Sequence, residues 1–377
     1  MNASSRPDQP PRRIRLALVF GGRSGEHSIS CATAAGVLRA LDRDRYDVVP
    51  IGITPAGQWV LAPDDPEALS LHGEELPEVR PADADVVLPM SETSRDLTVT
   101  EPGRAPRSLG EVDVVFPVLH GPFGEDATLQ GLLEMAQIPY VGSGVLASAV
   151  GMDKHYMKVV LAGHGLPVGP YTVITPRLWR TDRGAATDAV ESLGFPVFVK
   201  PARGGSSLGI SKVERAEDLE AAVVVAQRHD PKVIVEAAVP GREIECAVLQ
   251  GRGDEPPRTA FPGEIAVSGH DFYDFESKYI DAENVRLSCP AELPDDVTEQ
   301  VRTLAARAFE ALGCEGLARV DFFVGESGAV TINEVNTMPG FTPYSMYPLM
   351  WERSGLSYPE LVDELVHLAL ERPVGLR

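Results

Sequence analysis

Between Arg319 and Asn336 the chain reads Arg-Val-Asp-Phe-Phe-Val, then Gly-Glu-Ser-Gly, then Ala-Val-Thr-Ile-Asn-Glu-Val-Asn. Side chains alternate between faces along a strand, so Arg319 and Asp321 share one face of the outgoing strand. By the same rule Ile332, Glu334 and Asn336 share one face of the return strand. With Glu326 and Ser327 as the tip, Arg319 is expected opposite Glu334, and Asp321 opposite Ile332 and diagonal to Glu334. Two carboxylates, an amide and one guanidinium then converge. Hard oxygen donors of this kind suit Mg²⁺ held together with substrate phosphates, because that ion keeps several waters and is seldom caged by protein alone. A solvated hairpin with a simple Arg-to-acid pair is the plain alternative.

Other segments also carry chemistry. Lys200-Pro-Ala-Arg-Gly-Gly-Ser-Ser-Leu-Gly209 follows a strand, and its glycines free backbone N–H groups to wrap an anion beside the fixed charge of Lys200. It is not a Walker A loop, since no Gly-x-x-x-x-Gly-Lys-Ser/Thr occurs. Gly142-Ser-Gly-Val-Leu-Ala147 fits a dinucleotide pattern, but no acidic residue ends a strand where a ribose partner should stand. These glycines read better as a hinge between units. Phe272-Tyr-Asp-Phe-Glu-Ser-Lys-Tyr279 can close over a site and deliver Lys278 and Tyr279, or serve only as an aromatic anchor. His120, in Leu-His-Gly-Pro-Phe-Gly-Glu-Asp, is either a ligand-orienting or a structural histidine, and the role of His27 beside Glu26 is open.

Positioning these residues requires more than one core. At 377 residues the chain exceeds what a single core supports, so two or three domains with clefts between them are expected. Its 44% hydrophobic and 24% charged content is that of a soluble globular protein. A formal net charge of −21 argues against nucleic acid or an anionic membrane as partner, so a polyanionic ligand must be met locally. Cys31, Cys246, Cys289 and Cys314 lack Cys-x-x-Cys spacing and read as reduced and cytoplasmic. Residues 1–13 read as a disordered tail, and no apolar run approaches membrane-spanning length. Strands at 14–20, 48–53 and 112–119 alternate with helices at about 28–41 and 127–136, which predicts a parallel sheet covered on both faces. Residues 63–107 form an insertion. A helix over 145–163 and a strand over 196–200 follow, and after 236 the pattern turns antiparallel, with a C-terminal helix over 358–371 capping the last unit.

Taken together these segments resemble the ATP-grasp enzymes and, within them, the D-alanine–D-alanine ligases, from about Arg15 to Leu370. The resemblance rests on six segments in the family's order. They are Phe-Gly-Gly-Arg-Ser-Gly-Glu-His-Ser-Ile-Ser, His-Gly-Pro-Phe-Gly-Glu-Asp, Met152-Asp-Lys154, the 200–209 loop, Phe-Tyr-Asp-Phe-Glu-Ser-Lys-Tyr, and Asn-Glu-Val-Asn-Thr-Met-Pro-Gly-Phe-Thr. It implies an α/β and α+β, three-domain ATP-grasp ligase. Its parts would be an N-terminal substrate domain (14–143), a central domain (144–239) and a C-terminal domain (240–377) with the metal site. Two Mg²⁺ or Mn²⁺ ions on Asp321, Glu334 and Asn336 are implied cofactors, with a monovalent cation as a further candidate. By the same resemblance, Lys154, Lys200, Ser207 and Lys278 bind phosphates, Glu236 faces the adenine and Glu243 the ribose. Arg319 holds the transferred phosphoryl group and the oxyanion. Glu26 pairs with the first D-alanine in a set with Ser206 and Tyr279, His120 lines the substrate site, and Ser345 with Lys278 receives the second carboxylate.

The implied chemistry accounts for that inventory. A carboxylate resists attack by an amine until ATP converts it to an acyl phosphate, whose charge must be offset and from which water must be kept. A homodimer is implied as well. Ala237 and Ala238 depart from the polar and aromatic residues of some relatives, which leaves adenine contacts there to the backbone. Three other readings compete. A D-alanine–D-lactate ligase would share the ATP machinery, although Tyr279 falls on the dipeptide side. A nicotinamide-dependent dehydrogenase would use 142–147. A non-catalytic protein with a relict fold has no need of Arg319, Asp321, Glu334 and Asn336 together.

Overall fold

The computed structural model describes residues 12–70, 76–89, 93–205, 207–267, 285–373 and 375. Its first sheet joins Ile14–Gly21 in parallel to Tyr46–Ile53 and Val114–Pro117, with Trp59–Leu61 antiparallel at one edge. Alternate residues of the first strand feed two cores. Leu16, Leu18 and Phe20 share one with helix His27–Ala40, while Ala17 and Val19 share the other with Leu129 and Leu133 of helix Thr128–Met135. Both faces are thus covered, as the apolar run from Leu16 to Phe20 predicts. The insertion contains its own antiparallel sheet, Asp85–Val87, Asp96–Thr100 and Arg107–Glu111, whose Val86, Leu97 and Val99 join the second of these cores.

Two further sheets follow, and both are antiparallel. The central one orders Ser211–Val213, Val197–Pro201, Val233–Ala237 and Tyr171–Ile174. The antiparallel region therefore starts before residue 236, earlier than the sequence suggested, because the short strands at 171–174 and 211–213 carry too few residues to show a period. The C-terminal sheet runs Val285–Ser288, Gly263–Val267, Arg242–Leu249, Leu317–Val324, Val330–Asn336, with Arg258–Thr259 paired to Arg242–Leu249. The helix expected over 145–163 is two, Val145–Met152 and Lys154–Gly163, broken at Asp153, whose side chain accepts the backbone N–H of His155 and Tyr156. An N-cap residue inside the segment ends one helix and starts the next.

The hairpin departs from its expected register by two steps that cancel in parity. Its connection is one residue longer than assumed, so Val324 faces Val330 and Phe322 faces Ile332. A bulge then leaves Asn333 without a register partner, so that Asp321 faces Glu334 and Arg319 faces Asn336. Ile332 is buried on the core face, and it does not share a face with Glu334 as the simple alternation required. The bulge moves Glu334 to the polar face despite a buried Ile332 two residues earlier. Val330–Asn336 is the edge of its sheet, and Pro167–Val168 covers it, with the Ile332 N–H donating to Pro167 O at 2.8 Å.

The C-terminal helix Tyr358–Glu371 does more than cap the last unit. Its Leu361, Leu365 and Val366 join the core of the first sheet, and the Tyr46 hydroxyl donates to Asp363 at 2.5 Å. Just beyond it, buried Arg372 donates to Gly142 O at 2.6 Å and Tyr140 O at 2.7 Å and pairs with Glu315 at 3.3 Å. The glycines of 142–144 pack against the Glu315–Gly316 turn, where a Cβ on Gly144 would come within 2.9 Å of Glu315 Oε2. Close packing of a connection, rather than a dinucleotide turn, explains them. Arg372→Ala strands two carbonyls and should lower stability by about 3 kcal/mol, from two hydrogen bonds made by a charged donor. Urea unfolding of wild type and variant measures this, and a difference below about 0.5 kcal/mol would mean that the clamp is incidental.

Candidate active site

The polar face of the hairpin looks toward the central sheet. Arg319 donates from Nε and Nη2 to the two oxygens of Asp321, both at 2.7 Å, and its Nη2 lies 3.1 Å from Glu245 Oε1. Asn336 Nδ2 donates to Asp321 Oδ2 at 2.9 Å. Burial alone would lower the Arg319 pKa, but Asp321 and Glu245 hold it well above the ordinary arginine range, so its charge is permanent. Glu245 sits on this face because strand Arg242–Leu249 places it opposite Asp321, with Glu243 one pleat further along, opposite Phe323. Asp321, Glu334 and Asn336 therefore gather on one face, though through a different register from the one expected.

The opposing cations come from a helix and a strand. Lys154 and Lys158 are one turn apart on Lys154–Gly163 and project the same way. Lys154 Nζ lies 3.0 Å from Glu334 Oε2 and donates to Gly204 O at 3.0 Å. Burial works against its charge, but Glu334 foremost, then Glu236 and Glu125, raise its pKa. Lys200, on the central strand, lies 2.5 Å from Glu236 Oε2, and Lys158 lies 2.8 Å from Glu236 Oε1. Burial pushes the Glu236 carboxyl up, yet Lys200 and Lys158 outweigh it and hold the group at about 2. The base of the Lys200–Gly209 loop is anchored too. Arg203 donates to Asp230 from N, Nε and Nη2 at 2.8, 2.9 and 2.8 Å, and Lys232 pairs with the N-cap Asp153.

The first unit closes the third side. Glu26 lies between two glycines, since an added Cβ would meet its Oε2 at 3.1 Å on Gly121 and at 3.0 Å on Gly205. Gly205 thus lets the 200s loop approach the first unit. Buried His120 faces Met338 O through Nδ1 at 3.1 Å and Thr33 Oγ1 through Nε2 at 3.4 Å, and burial holds its pKa below the ordinary range despite Glu26. Glu125 accepts the N–H of Gly121 at 2.5 Å and of Met338 at 3.2 Å, and burial, followed by the charge of Glu26, raises it to about 8. Ser345 is the N-cap residue of helix Met346–Arg353 and its Oγ lies 2.8 Å from that of Thr342. His27 is structural: Nδ1 faces Gly22 O at 2.7 Å and Nε2 accepts the Val79 N–H at 3.0 Å.

Ser207 is in the described part of the loop, with φ of 57°. Ser206, Lys278 and Tyr279 lie outside the described residues. Sequence reasoning missed Lys158, Glu245 and the task of Glu125. A lysine four residues after Lys154 and a second acid two residues after Glu243 were the available signals. Among the described residues no cluster of three or more His, Cys, Asp or Glu side chains could hold a metal alone. The donor set fits an ion that takes part of its shell from phosphate and water. Two carboxylates and an amide share one face, and the bidentate guanidinium on Asp321 shows that this face holds a cation. The thiols of Cys31, Cys246 and Cys314 are pushed by burial up to about 12 and are unreactive.

Comparison with known proteins accounts for the same segments. A family model described as the D-ala D-ala ligase N-terminus matches residues 15–143, and one described as the D-ala D-ala ligase C-terminus matches 160–367. The D-alanine–D-alanine ligase of Pseudarthrobacter chlorophenolicus is 60% identical over 365 residues, covering 96% of each chain. Among solved structures, the VanG D-Ala:D-Ser ligase from Enterococcus faecalis aligns with TM-score 0.81 and 34% identity over 95% of this chain and 100% of that one. The D-alanine–D-alanine ligase from Coxiella burnetii aligns with TM-score 0.78 and 35% identity over 96% and 94%.

The Glu236 triad makes a pH prediction. A carboxyl at about 2 in the folded protein, against 4.5 ordinarily, contributes stability that is present above 4.5 and lost as pH falls toward 2. That contribution is roughly 3 kcal/mol. Glu236→Gln should therefore be less stable at neutral pH and show a shallower fall in melting temperature between pH 4.5 and 2 than wild type. Parallel melting curves for the two proteins would contradict the assignment.

Proposed function

The chain belongs to the D-alanine–D-alanine ligase family, and we propose that the cleft between its central and C-terminal sheets is where ATP activates one D-alanine for attack by a second. The enzyme ligates two D-alanine molecules at the expense of ATP, giving D-alanyl-D-alanine for peptidoglycan precursor synthesis. The observation that carries the site reading is the gathering of Lys200 with Glu236 on the central sheet and of Arg319 with Asp321 and Glu245 on the C-terminal sheet, joined by Lys158 to Glu236 and by Lys154 to Glu334 from one helix.

In this reading residues 14–143 form the substrate unit, and 144–239 and 240–377 the two halves of the nucleotide clamp. Lys154 and Lys200 exchange Glu334 and Glu236 for phosphate oxygens, and Arg319 turns to the transferred phosphoryl group and then to the oxyanion of the tetrahedral intermediate. Asp321, Glu334 and Asn336 would hold Mg²⁺ or Mn²⁺, which when bound supplies charge compensation for phosphoryl transfer. Glu26, beside Gly121 and Gly205, orients the ammonium of the first D-alanine, while Ser345 receives the carboxylate of the second. Glu236 and Glu243 face the base and ribose, and Ser206, Ser207, Lys278 and Tyr279 complete the enclosure that excludes water. The same reading places the enzyme in the cytoplasm as a homodimer, with neither nucleic acid nor membrane as partner. No described helix is long and apolar enough to cross a membrane.

The shared fold of a D-Ala:D-Ser ligase makes the second substrate the point to test. Phosphate release from ATP should require D-alanine, and with D-lactate or D-serine added in equal amount the product mass should still be that of the D-alanine dipeptide. A depsipeptide or mixed dipeptide as main product would overturn the substrate reading. Glu334→Gln should abolish turnover with the fold intact, and Arg319→Ala should slow it by on the order of 3 kcal/mol. Near-normal rates in either at saturating Mg²⁺ would remove that residue from the proposed machinery.

A further inference from the structure

Lys158 has no counterpart in the chemistry assigned above, yet among the described lysines it alone is buried, with 3% exposure. A buried ammonium persists only where its charge and its donors are satisfied. Its Nζ meets two partners on two sheets: Glu236 Oε1 at 2.8 Å on the central strand, and the main-chain carbonyl of Asn333 at 2.9 Å in the hairpin bulge. That carbonyl belongs to the residue without a register partner, and a buried carbonyl needs a donor from elsewhere. The peptide that carries Asn333 O also carries the nitrogen of Glu334, so fixing the carbonyl fixes the direction in which the Glu334 side chain leaves the strand. One helical turn away Lys154 holds that side chain at 3.0 Å. Two lysines at a spacing of one turn thus grip the main chain and the side chain of the same bulge.

We propose that Lys158 is a positioning residue that locks the Asn333–Glu334 bulge to Glu236, so that the carboxylate of the metal face and the carboxylate beside the nucleotide keep one fixed separation. This rests on the reading of Glu334 as a metal-holding residue. Lys158 lies beneath the polar surface and touches neither substrate nor ion; it acts through Glu334 and Glu236. Residues that orient metal-holding side chains in this way usually cost about tenfold or more in metal affinity when replaced.

The test is Lys158→Met, which keeps an unbranched apolar stem one atom shorter and removes the charge and donors, with Glu334→Gln in parallel. Binding of a non-hydrolysable ATP analogue is measured by calorimetry across a Mg²⁺ series, apart from turnover. Lys158→Met should raise the Mg²⁺ concentration for half-maximal binding about tenfold. The KM for D-alanine at the first site should stay within about twofold, because that site lies on another unit. A lowered melting temperature with wild-type Mg²⁺ dependence would make Lys158 a purely structural residue and overturn the inference. Should Lys158→Met fail to fold, Lys158→Gln, which can donate to Asn333 O but carries no charge, is held to the same Mg²⁺ criterion. Normal turnover and Mg²⁺ dependence in Glu334→Gln would instead show that the underlying reading of the metal face is wrong.

Discussion

A cation carried out of water must have a partner, and in this protein the partners of the cleft lysines come from other elements. Lys158 on a helix reaches Glu236 on the central sheet and Asn333 O on the C-terminal sheet, while Lys154 reaches Glu334. Breaking any of these pairs by removing one member would strand a buried charge, at a cost of several kcal/mol. The two halves of the cleft are therefore held in register by electrostatics as well as by apolar packing. The balance is close to neutral, since four basic side chains meet four acidic ones. In the proposed reading a nucleotide triphosphate with two divalent cations would bring charges that also cancel, and the cleft would exchange internal pairs for external ones without accumulating charge.

That exchange needs a surface that does not deform. The hairpin supplies it, with Ile332 and Val335 packed into the core behind and its outer edge covered by Pro167–Val168. The bulge at Asn333 lets a strand anchored by Ile332 present Glu334 and Asn336 on the opposite side. On the first unit, Tyr358–Glu371 and Arg372 tie the C-terminus to the first sheet and to the 140s connection, so the substrate wall cannot drift from the nucleotide wall. Glu26 against Gly205 is a further point of approach. A Cβ at position 205 would stand 3.0 Å from Glu26 Oε2, so a larger residue there requires the carboxylate to shift.

Much of this was legible in the chain. The strand and helix order, the buried first sheet and the convergence of Asp321, Glu334 and Asn336 follow from alternation and from long apolar runs. Register was not legible, because a longer turn and a bulge each shift pairing by one residue in the same direction without changing composition, and only the sum of two shifts kept the deduced face right. The split of the 145–163 helix was hidden because Asp153 is equally at home within a first turn. Lys158 was hidden because a lysine in an apolar helix normally reaches out to solvent, and nothing local shows that two sheets close over it. Glu245 was overlooked since a buried acid on a strand is rare unless its cation partner is already known. The family resemblance named most of the first set of residues and none of these four features.

In the proposed reading Lys154 and Arg319, now held by Glu334 and Asp321, turn to phosphate when those two carboxylates take a metal, while Lys158 stays in place. A crystal structure with an ATP analogue, Mg²⁺ and a phosphinate mimic of the acyl phosphate tests it most directly. Lys154 Nζ should leave Glu334 Oε2, from which it now stands 3.0 Å, and Arg319 should give up at least one of its 2.7 Å bonds to Asp321, while Lys158 keeps Glu236 and Asn333 O. If the nucleotide binds with the Lys154–Glu334 and Arg319–Asp321 pairs unchanged, the cleft is not the phosphate site and the account fails.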